Sequence, residues 1–321
     1  WAELWLGTHP VAPSYITGDG ALATVSGELP YLLKLLAAGQ PLSLQTHPTR
    51  AQAEAGFDRE EALGLTFDAP TRVYRDRMPK PEVLCALTEF EALCGFRHPA
   101  ATAELLGHIG ATDLADHLAD HGLGDVVAAL YERRLPIEAT LSACARSARP
   151  EAGLVNDLIE RYPGDPSVVI TLLLNRVVLA PGEAIFLGPG NLHAYIHGVG
   201  VEVMSASDNV VRGGLTLKHV DVPELLRVLD LTPLLEPVIR PVEVRPGRWR
   251  YDSADTPFRL WRLIIDETLQ HTATGRELLL CTDGDAGAIH RGQCAFLARN
   301  ESITLEGPAT VFRVEETLPG L

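Results

Sequence analysis

The chain has 321 residues, of which 46% are hydrophobic and 21% charged, which is enough apolar material for about two domains at the usual ~150 residues each. Its formal net charge is −15, from 27 Lys and Arg against 42 Asp and Glu. This charge repels nucleic acid and anionic membranes, so we expect neither as a partner. An anionic small molecule would need a local cluster of cations.

No apolar run approaches the roughly 18 residues of a membrane span, and the first residues, WAELWLGTHP, lack the basic and apolar regions of a secretory signal. The five cysteines are scattered and form no C-x-x-C pair, which indicates reduced thiols. We therefore expect a cytoplasmic protein. The missing initiator Met suggests a processed start and leaves room for an early strand before the first residue.

Residues 1–98 are rich in Pro and Gly, and their short apolar runs predict strands at 31–36, 42–47 and 82–87. One helix interrupts this pattern. It is predicted for the sequence TRAQAEAGFDREEAL, with Thr49 as its N-cap.

From about residue 99 to 162 the sequence is dominated by Ala, Leu, Asp and Glu, which predicts short helices. Successive strands are predicted at 168–179, 182–188, 192–198 and 201–207, and a helix at 222–231. After a Pro-rich linker, apolar runs at roughly 8- to 12-residue spacing are typical of an antiparallel β-sandwich. These runs lie at 258–266, 277–284, 287–292, 294–299, 302–307 and 309–316.

Three segments carry possible metal ligands. Gln45 and His47 are two residues apart in SLQTHP, and side chains at this spacing share one face of a strand. PKPEVL supplies Glu82, and NLHAY supplies His193. His, His and Glu suit zinc, and a Gln oxygen can be a fourth ligand. Spacing alone leaves the ordinary alternatives open, which are structural histidines and a surface carboxylate.

Several motifs, read in order, resemble the type I phosphomannose isomerases. They are GTHP (7–10), LSLQTHP (42–48), KPE (80–82), TEFEALCGFR (88–97), NLHAY (191–195) and SDNVVRGGLT (207–216). The resemblance extends to about residue 230. It implies a zinc enzyme that interconverts mannose 6-phosphate and fructose 6-phosphate, on a route into GDP-mannose or out to glycolysis.

The resemblance also implies a mainly β fold, with two cupin or jelly-roll domains and an α-helical insertion. We expect a catalytic cupin domain in two parts, 1–98 and 165–235, separated by the insertion 99–164. A C-terminal cupin-like domain would occupy 236–321. The family further implies a monomer.

By resemblance, the ligands of one Zn²⁺ per chain are Gln45, His47, Glu82 and His193. The phosphorylated hexose needs cations, and Arg212 matches the active-site arginine of the family. We expect Lys218 to assist Arg212 at the phosphate, with Ser43 donating a hydroxyl.

Aldose-ketose isomerisation moves a proton between C1 and C2, normally through a cis-enediol, so it needs a base. The candidates for proton transfer are Lys80, Glu202, Asp208 and Lys34, and we favour Glu202 or Lys80 as the carbon base. Tyr195 is expected to position the substrate. The remaining His9, in GTHP, is expected to be a structural hydrogen-bonding residue.

Two other functions compete with the isomerase. A cupin dioxygenase would hold iron on two histidines and one carboxylate, but Gln45 and the expected cations fit it poorly. A non-catalytic sugar-binding cupin would have no physical reason to keep ligands and cations together.

Overall fold

The computed structural model describes residues 2–317. Residue 1 and residues 318–321, which the expected first and last segments include, lie outside the described residues. No helix within 2–317 is both long enough and apolar enough to cross a membrane. All five cysteines are free, as expected, and all except Cys294 are buried.

The first part of the chain is mainly β. Its elements are β1 Ala2–Leu6, β2 Tyr15–Ile16, β3 Gly20–Ala21, α1 Leu22–Ser26, β4 Tyr31–Ala38, β5 Leu44–Thr46, α2 Arg50–Ala62, β6 Glu82–Ala86 and β7 Phe90–Phe96. The strands predicted here and the helix α2 are confirmed. Thr49 caps α2 through a reciprocal pair of hydrogen bonds with Gln52, in which each side chain accepts from the other residue's backbone N–H.

Helices follow, as the composition predicts. They are α3 Pro99–Ile109, α4 Thr112–Tyr131, α5 Glu138–Cys144, α6 Pro150–Arg161 and α7 Ser167–Ile170, and a 3₁₀ helix spans Thr171–Leu173. Helix α4 is kinked at Gly122, whose φ of 79° favours glycine. The apolar faces of these helices share one core with residues of β5, β7 and the strands that follow.

The strand predicted at 168–179 is wrong in its first half. Residues 167–173 are helical, and Leu174 begins the strand. The Asp165 carboxylate accepts a hydrogen bond from the Ser167 N–H at 2.9 Å and so helps to start this turn. Because these apolar residues are buried on all sides, their sequence lacks the periodicity that separates a buried helix from a buried strand.

The third part returns to strands. Its elements are β8 Leu174–Leu179, β9 Ala184–Leu187, β10 His193–Ser205, β11 Val211–Gly214, α8 Val222–Val228 and β12 Val238–Ile239. The two strands predicted at 192–198 and 201–207 are a single strand, β10. Gly198 lies within this strand and does not end it. A Cβ at this position would lie 2.7 Å from the Glu89 carbonyl oxygen, so glycine is needed for the close approach of the two backbones.

Strand β10 joins two layers of the first sheet. Its C-terminal half pairs with β4 and β6, in the order β1-β4-β10-β6-β9-β12, and its N-terminal half pairs with β5 and β7. Strand β11 continues the second layer beside β5, and β8 continues it beside β7. The register of β10 shifts between Tyr195 and His197. One strand therefore carries residues into both layers.

The C-terminal part forms a six-stranded sheet, in the order β13-β14-β15-β20-β17-β18, and a separate pair of β16 with β19. The strands are β13 Val242–Arg245, β14 Arg248–Tyr251, β15 Phe258–Ile265, β16 Thr268–Thr272, β17 Glu277–Gly284, β18 Cys294–Leu297, β19 Ser302–Glu306 and β20 Ala309–Glu316. The strand predicted at 287–292 is wrong, because only isolated bridges form around it, between Asp285 and His290 and between Gly287 and Leu305. Gly287 and Gly292 also have positive φ. Strands β13, β14 and β16 were not predicted.

The two large sheets share a core. Tyr31 and Val201 of the first sheet pack in one apolar cluster with Tyr251 and Phe312 of the C-terminal sheet. The buried Tyr251 hydroxyl donates a hydrogen bond to the Gly182 carbonyl oxygen at 2.7 Å. The fold is therefore mainly β and cupin-like, with helices between the two parts of the first sheet.

Candidate metal centre and active site

Strand β5 places Gln45 between two neighbouring strands. Gln45 lies directly opposite His193 of β10 and opposite Arg212 of β11. Directly opposed residues of antiparallel strands project from the same face. Gln45, His193 and Arg212 therefore lie side by side on one face.

Three of the expected ligands converge at this face. One donor atom each from His47, Glu82 and His193 lies within 4.8 Å of the others. The Glu82 carboxylate lies between the rings, with Oε1 3.3 Å from His47 Nε2 and Oε2 3.5 Å from His193 Nε2. All three side chains are buried.

Backbone carbonyls orient both imidazoles. His47 Nδ1 lies 2.7 Å from the Asn209 carbonyl oxygen, and His193 Nδ1 lies 2.9 Å from that of Asn191. These contacts assign the ring proton to Nδ1 and leave a lone pair on Nε2. Both Nε2 atoms and Glu82 Oε2 are buried without a hydrogen-bond partner among the described residues. A metal cation satisfies this arrangement of facing electron pairs.

The electrostatics favour the deprotonated forms that bind metals. Burial lowers the pKa of His47 to about 4, and Lys80 acts in the same direction. For Glu82, burial alone would raise the pKa, but the nearby Lys80 and His47 hold it well below its usual range. Lys80 Nζ lies 3.0 Å from Glu82 Oε1. Neutral histidine and ionised carboxylate are the states that a metal requires.

A second group of buried side chains surrounds Glu202. Its Oε1 accepts a hydrogen bond from the Tyr195 hydroxyl at 2.5 Å, and its Oε2 lies 3.2 Å from Lys34 Nζ. Burial and the charge of Glu202 raise the pKa of Tyr195 well above its usual value, so the hydroxyl keeps its proton. Burial alone would lower the pKa of Lys34, but Glu202 and Glu3 raise it. Lys34 is therefore a cation here.

Arg212 is half-buried on β11 with a second arginine near it. Burial and the positive charge of Arg75 lower the pKa of Arg212 from its ordinary value. Sequence reasoning missed Arg75, which lies in the segment TRVYRDRM before the KPE motif. The clustering of three arginines in that segment was the available signal.

The structure places Lys218 beyond the end of β11. It is exposed in the loop after β11 and lines a cavity of about 380 Å³ with Tyr131, Arg133 and Asp165. This cavity contains none of the expected zinc ligands and not Arg212. Lys218 and Arg212 therefore lie on different elements, one in an exposed loop and the other half-buried on β11.

Asp208 contacts His9 and Asp76. Its Oδ1 lies 3.1 Å from His9 Nε2, and its backbone N–H donates to Asp76 Oδ2 at 2.9 Å. Asp208, His9 and Arg75 line a cavity of about 280 Å³. His9 is thus a hydrogen-bonding residue, as expected. Ser43 lies just before β5 and is half-buried.

Asn209 is the other residue that sequence reasoning missed. It is fully buried, and its Oδ1 accepts a hydrogen bond from the Arg75 N–H at 2.7 Å. Its Nδ2 donates to the Met78 carbonyl oxygen at 2.9 Å. Because its own carbonyl contacts His47, Asn209 links the arginine segment to a candidate metal ligand. Its position within SDNVVRGGLT was the available signal.

Comparison with known proteins is consistent with this geometry. The family model described as "Phosphomannose isomerase type I, catalytic domain" matches residues 17–99. The chain is 34% identical to mannose-6-phosphate isomerase of Salmonella typhimurium and 35% identical to that of Escherichia coli K12, and each match covers 99% of this chain and 92% of the relative.

Solved structures agree. A crystal structure of a mutant of phosphomannose isomerase from Salmonella typhimurium superposes with a TM-score of 0.87 at 29% identity, covering 99% of this chain and 91% of that one. Mannose 6-phosphate isomerase from the same organism, bound to substrate (f6p) and zinc, superposes with a TM-score of 0.81 at 30% identity and the same coverage. Full-length sequence identity together with a shared fold shows that this chain belongs to the type I phosphomannose isomerases, the family of the mannose-6-phosphate isomerases.

Proposed function

We propose that this chain interconverts mannose 6-phosphate and fructose 6-phosphate with one Zn²⁺ held by Gln45, His47, Glu82 and His193. The proposal rests on three converging buried atoms, His47 Nε2, Glu82 Oε2 and His193 Nε2, which have no hydrogen-bond partner within residues 2–317. Two imidazoles and one carboxylate are the donor set of catalytic zinc sites. The Salmonella structure with zinc and f6p supports both the metal and the substrate.

Bound zinc would supply Lewis acidity toward the sugar oxygens without redox chemistry. The contacts that orient the proposed zinc ligands are already formed in this chain. The Asn209 and Asn191 carbonyls fix the two rings, and Lys80 fixes the Glu82 carboxylate. Such partners orient ligands before the metal binds.

Arg212 is the proposed phosphate-binding residue. A phosphate monoester carries about −1.5 to −2 charges near neutral pH, and the chain carries −15, so local cations must offset the repulsion. Arg212 projects beside Gln45 and can hold two phosphate oxygens through its planar guanidinium. Arg75 adds a second positive charge near it. Lys218 and Ser43 stay as proposed outer contacts, with Lys218 reaching the substrate from its exposed loop.

Glu202 is the preferred carbon base, before Lys80. The base removes the proton from C2 to give the cis-enediol and returns a proton to C1, while the hydroxyl proton moves between O2 and O1. The buried Glu202 carboxylate lies between Lys34 Nζ, 3.2 Å from its Oε2, and the Tyr195 hydroxyl, and these two contacts hold it in one orientation. Lys80 Nζ is instead paired with Glu82 Oε1 at 3.0 Å, which holds this amine against a candidate zinc ligand.

Three residues take supporting roles in this proposal. Tyr195 remains protonated and positions both Glu202 and the substrate. Lys34 orients the Glu202 carboxylate through their contact at 3.2 Å. Asp208 is held by His9 and shapes the cavity beside Arg75.

We also propose a division of the chain into domains. A catalytic cupin domain would comprise 1–98 and 165–235, with the insertion 99–164 and a C-terminal domain 236–321. A cytoplasmic location and a monomeric state also remain predictions.

The decisive experiment is metal analysis of the purified protein, combined with a coupled assay for fructose 6-phosphate formation. We expect about one zinc per chain and turnover that chelation abolishes and zinc restores. Oxygen consumption with iron would indicate the dioxygenase instead. Sugar binding without turnover by the zinc-loaded protein would indicate a non-catalytic cupin.

A further inference from the structure

Helix α4 carries a second group of metal-ligating side chains on the helical part of the molecule. His117, His121 and Asp125 each offer one donor atom within 4.8 Å of the others. His117 Nε2 lies 2.9 Å from Asp125 Oδ2, and the two imidazoles stack with their centroids 4.3 Å apart. Unlike the ligands of the active site, these groups reach solvent, so a metal ion can enter directly.

The kink of α4 brings these residues together. His117 and His121 are four residues apart and share one face of the helix. In a straight helix, Asp125 would lie about 12 Å further along the axis than His117, at about 1.5 Å per residue. Gly122, with φ 79° and ψ 170°, breaks the helix between His121 and Asp125 and turns the carboxylate back onto His117. The convergence is thus a property of the backbone, not of sequence spacing.

We propose that His117, His121 and Asp125 form a second site for a divalent transition metal such as Zn²⁺, Ni²⁺ or Cu²⁺. Two imidazoles and a carboxylate leave positions for water and suit these metals, whereas Mg²⁺ and Ca²⁺ require oxygen ligands. His121 Nδ1 lies 3.3 Å from the His117 carbonyl oxygen, which leaves His121 Nε2 free to bind.

One neighbouring cation competes for the carboxylate. Arg134 Nη2 lies 3.8 Å from Asp125 Oδ1, but Arg134 Nε already bonds the Glu132 carboxylate at 2.7 Å. Asp125 Oδ2 faces His117 instead. The metal therefore replaces the hydrogen bond between His117 and Asp125 without breaking a close ion pair.

A metal at this position would link the two segments of α4 across the kink. The second segment ends at Tyr131, whose hydroxyl donates to the Gly213 carbonyl oxygen at 2.7 Å. Since a ligand that binds only the folded state stabilises it, added metal should raise the melting temperature. The site lies outside the proposed catalytic machinery, so the basal isomerase activity should not change.

The test is a Zn²⁺ titration of the untagged holoenzyme that already contains one zinc per chain. We expect a second equivalent to bind and to raise the melting temperature. His121→Ala and Asp125→Asn should each weaken this second binding by about tenfold or more, at least the cost of losing a group that only orients a ligand. His108→Ala and Asp120→Asn, which change exposed groups in the same helical region, are the matched controls and should bind as the wild type does.

Retention of the untagged holoenzyme on immobilised Ni²⁺ provides an independent measurement. It should be lost in the His117→Ala/His121→Ala double variant and kept in His108→Ala. Circular dichroism of each variant checks that the helices remain folded. Absence of a second equivalent, or unchanged affinity in the folded double variant, would overturn the proposal. Neither result bears on the first zinc, so the proposed isomerase function is tested separately.

Discussion

The Tyr195 hydroxyl donates a hydrogen bond of 2.5 Å to Glu202, seven residues further along the same strand. In a regular strand, residues seven apart point to opposite faces and are separated by about 23 Å at 3.3 Å per residue. The register shift between Tyr195 and His197 changes this alternation, and β10 bends from one layer to the other. The bulge thus allows the two side chains to meet inside the site.

The first prediction concerns the carbon base. Glu202→Gln should slow the exchange of substrate C2 hydrogen with solvent by about 10² or more, the usual scale for losing a general base. Lys80→Met should slow it less, because Lys80 Nζ is already paired with Glu82 at 3.0 Å. Zinc content should stay near one per chain in both variants. If both exchange at the wild-type rate, proton transfer belongs to Asp208, Lys34 or a water molecule.

The metal ligands are tested by His47→Ala. Loss of one imidazole should remove zinc and abolish activity, because a neutral His at this position supplies one of the ligands that hold the metal. The barrel should stay folded by circular dichroism. Full activity in a zinc-free His47→Ala protein would end the zinc hypothesis.

Arg212→Ala should raise KM and lower kcat for mannose 6-phosphate, since phosphate binding positions the reacting carbons. We expect a loss of about 10² in kcat/KM, the scale that misplacement of a substrate costs. The penalty should shrink for unphosphorylated mannose. An equal loss on both sugars would show that Arg212 acts on the chemistry and not on the phosphate.

The buried His47 predicts a loss of stability in acid for the zinc-free protein. Its pKa falls from 6.5 to about 4 on burial, so between these values the unfolded chain binds a proton that the folded chain does not. Stability is therefore full above about pH 6.5 and falls as the pH drops toward 4, by about 2 kcal/mol at pH 5. Urea unfolding at pH 7 and pH 5 measures this loss, which should be smaller in His47→Gln. The same pH dependence in both proteins would contradict it.

Alanine substitutions at two glycines, one in α2 and a control in α6, test the packing of α2. At Gly56 an added Cβ would lie 2.3 Å from the Tyr74 ring, which is fully buried and donates a hydrogen bond to Glu224. Gly56→Ala should therefore destabilise the fold by about 1–3 kcal/mol, more than the gain of roughly 0.5–1 kcal/mol in helix propensity. Gly153→Ala in α6, where the Cβ meets open space, should be stabilising. Thermal unfolding of both variants measures the difference, and equal shifts would contradict the packing argument.

The sequence by itself was enough to identify the family and to predict candidate metal ligands, three of which converge in the structure. The order of motifs such as LSLQTHP and NLHAY is specific because each motif carries residues of one site on separate strands. Local rules also predicted α2, because the Thr49 cap and its Gln52 partner act within one turn of the helix. Such signals depend on neighbours in the chain, and a sequence contains them directly.

Only the tertiary structure decided which residues meet. Residues 168–173 are helical and buried, and Lys218 lies in an exposed loop beside a cavity of its own. Arg75 and Asn209 came together from segments more than 130 residues apart through one hydrogen bond. Asp125 reached His117 only because of the kink at Gly122. These outcomes depend on strand register, backbone bends and burial, which are set by the packing of distant segments, so a local pattern in the sequence can mark such a residue but not name its partner.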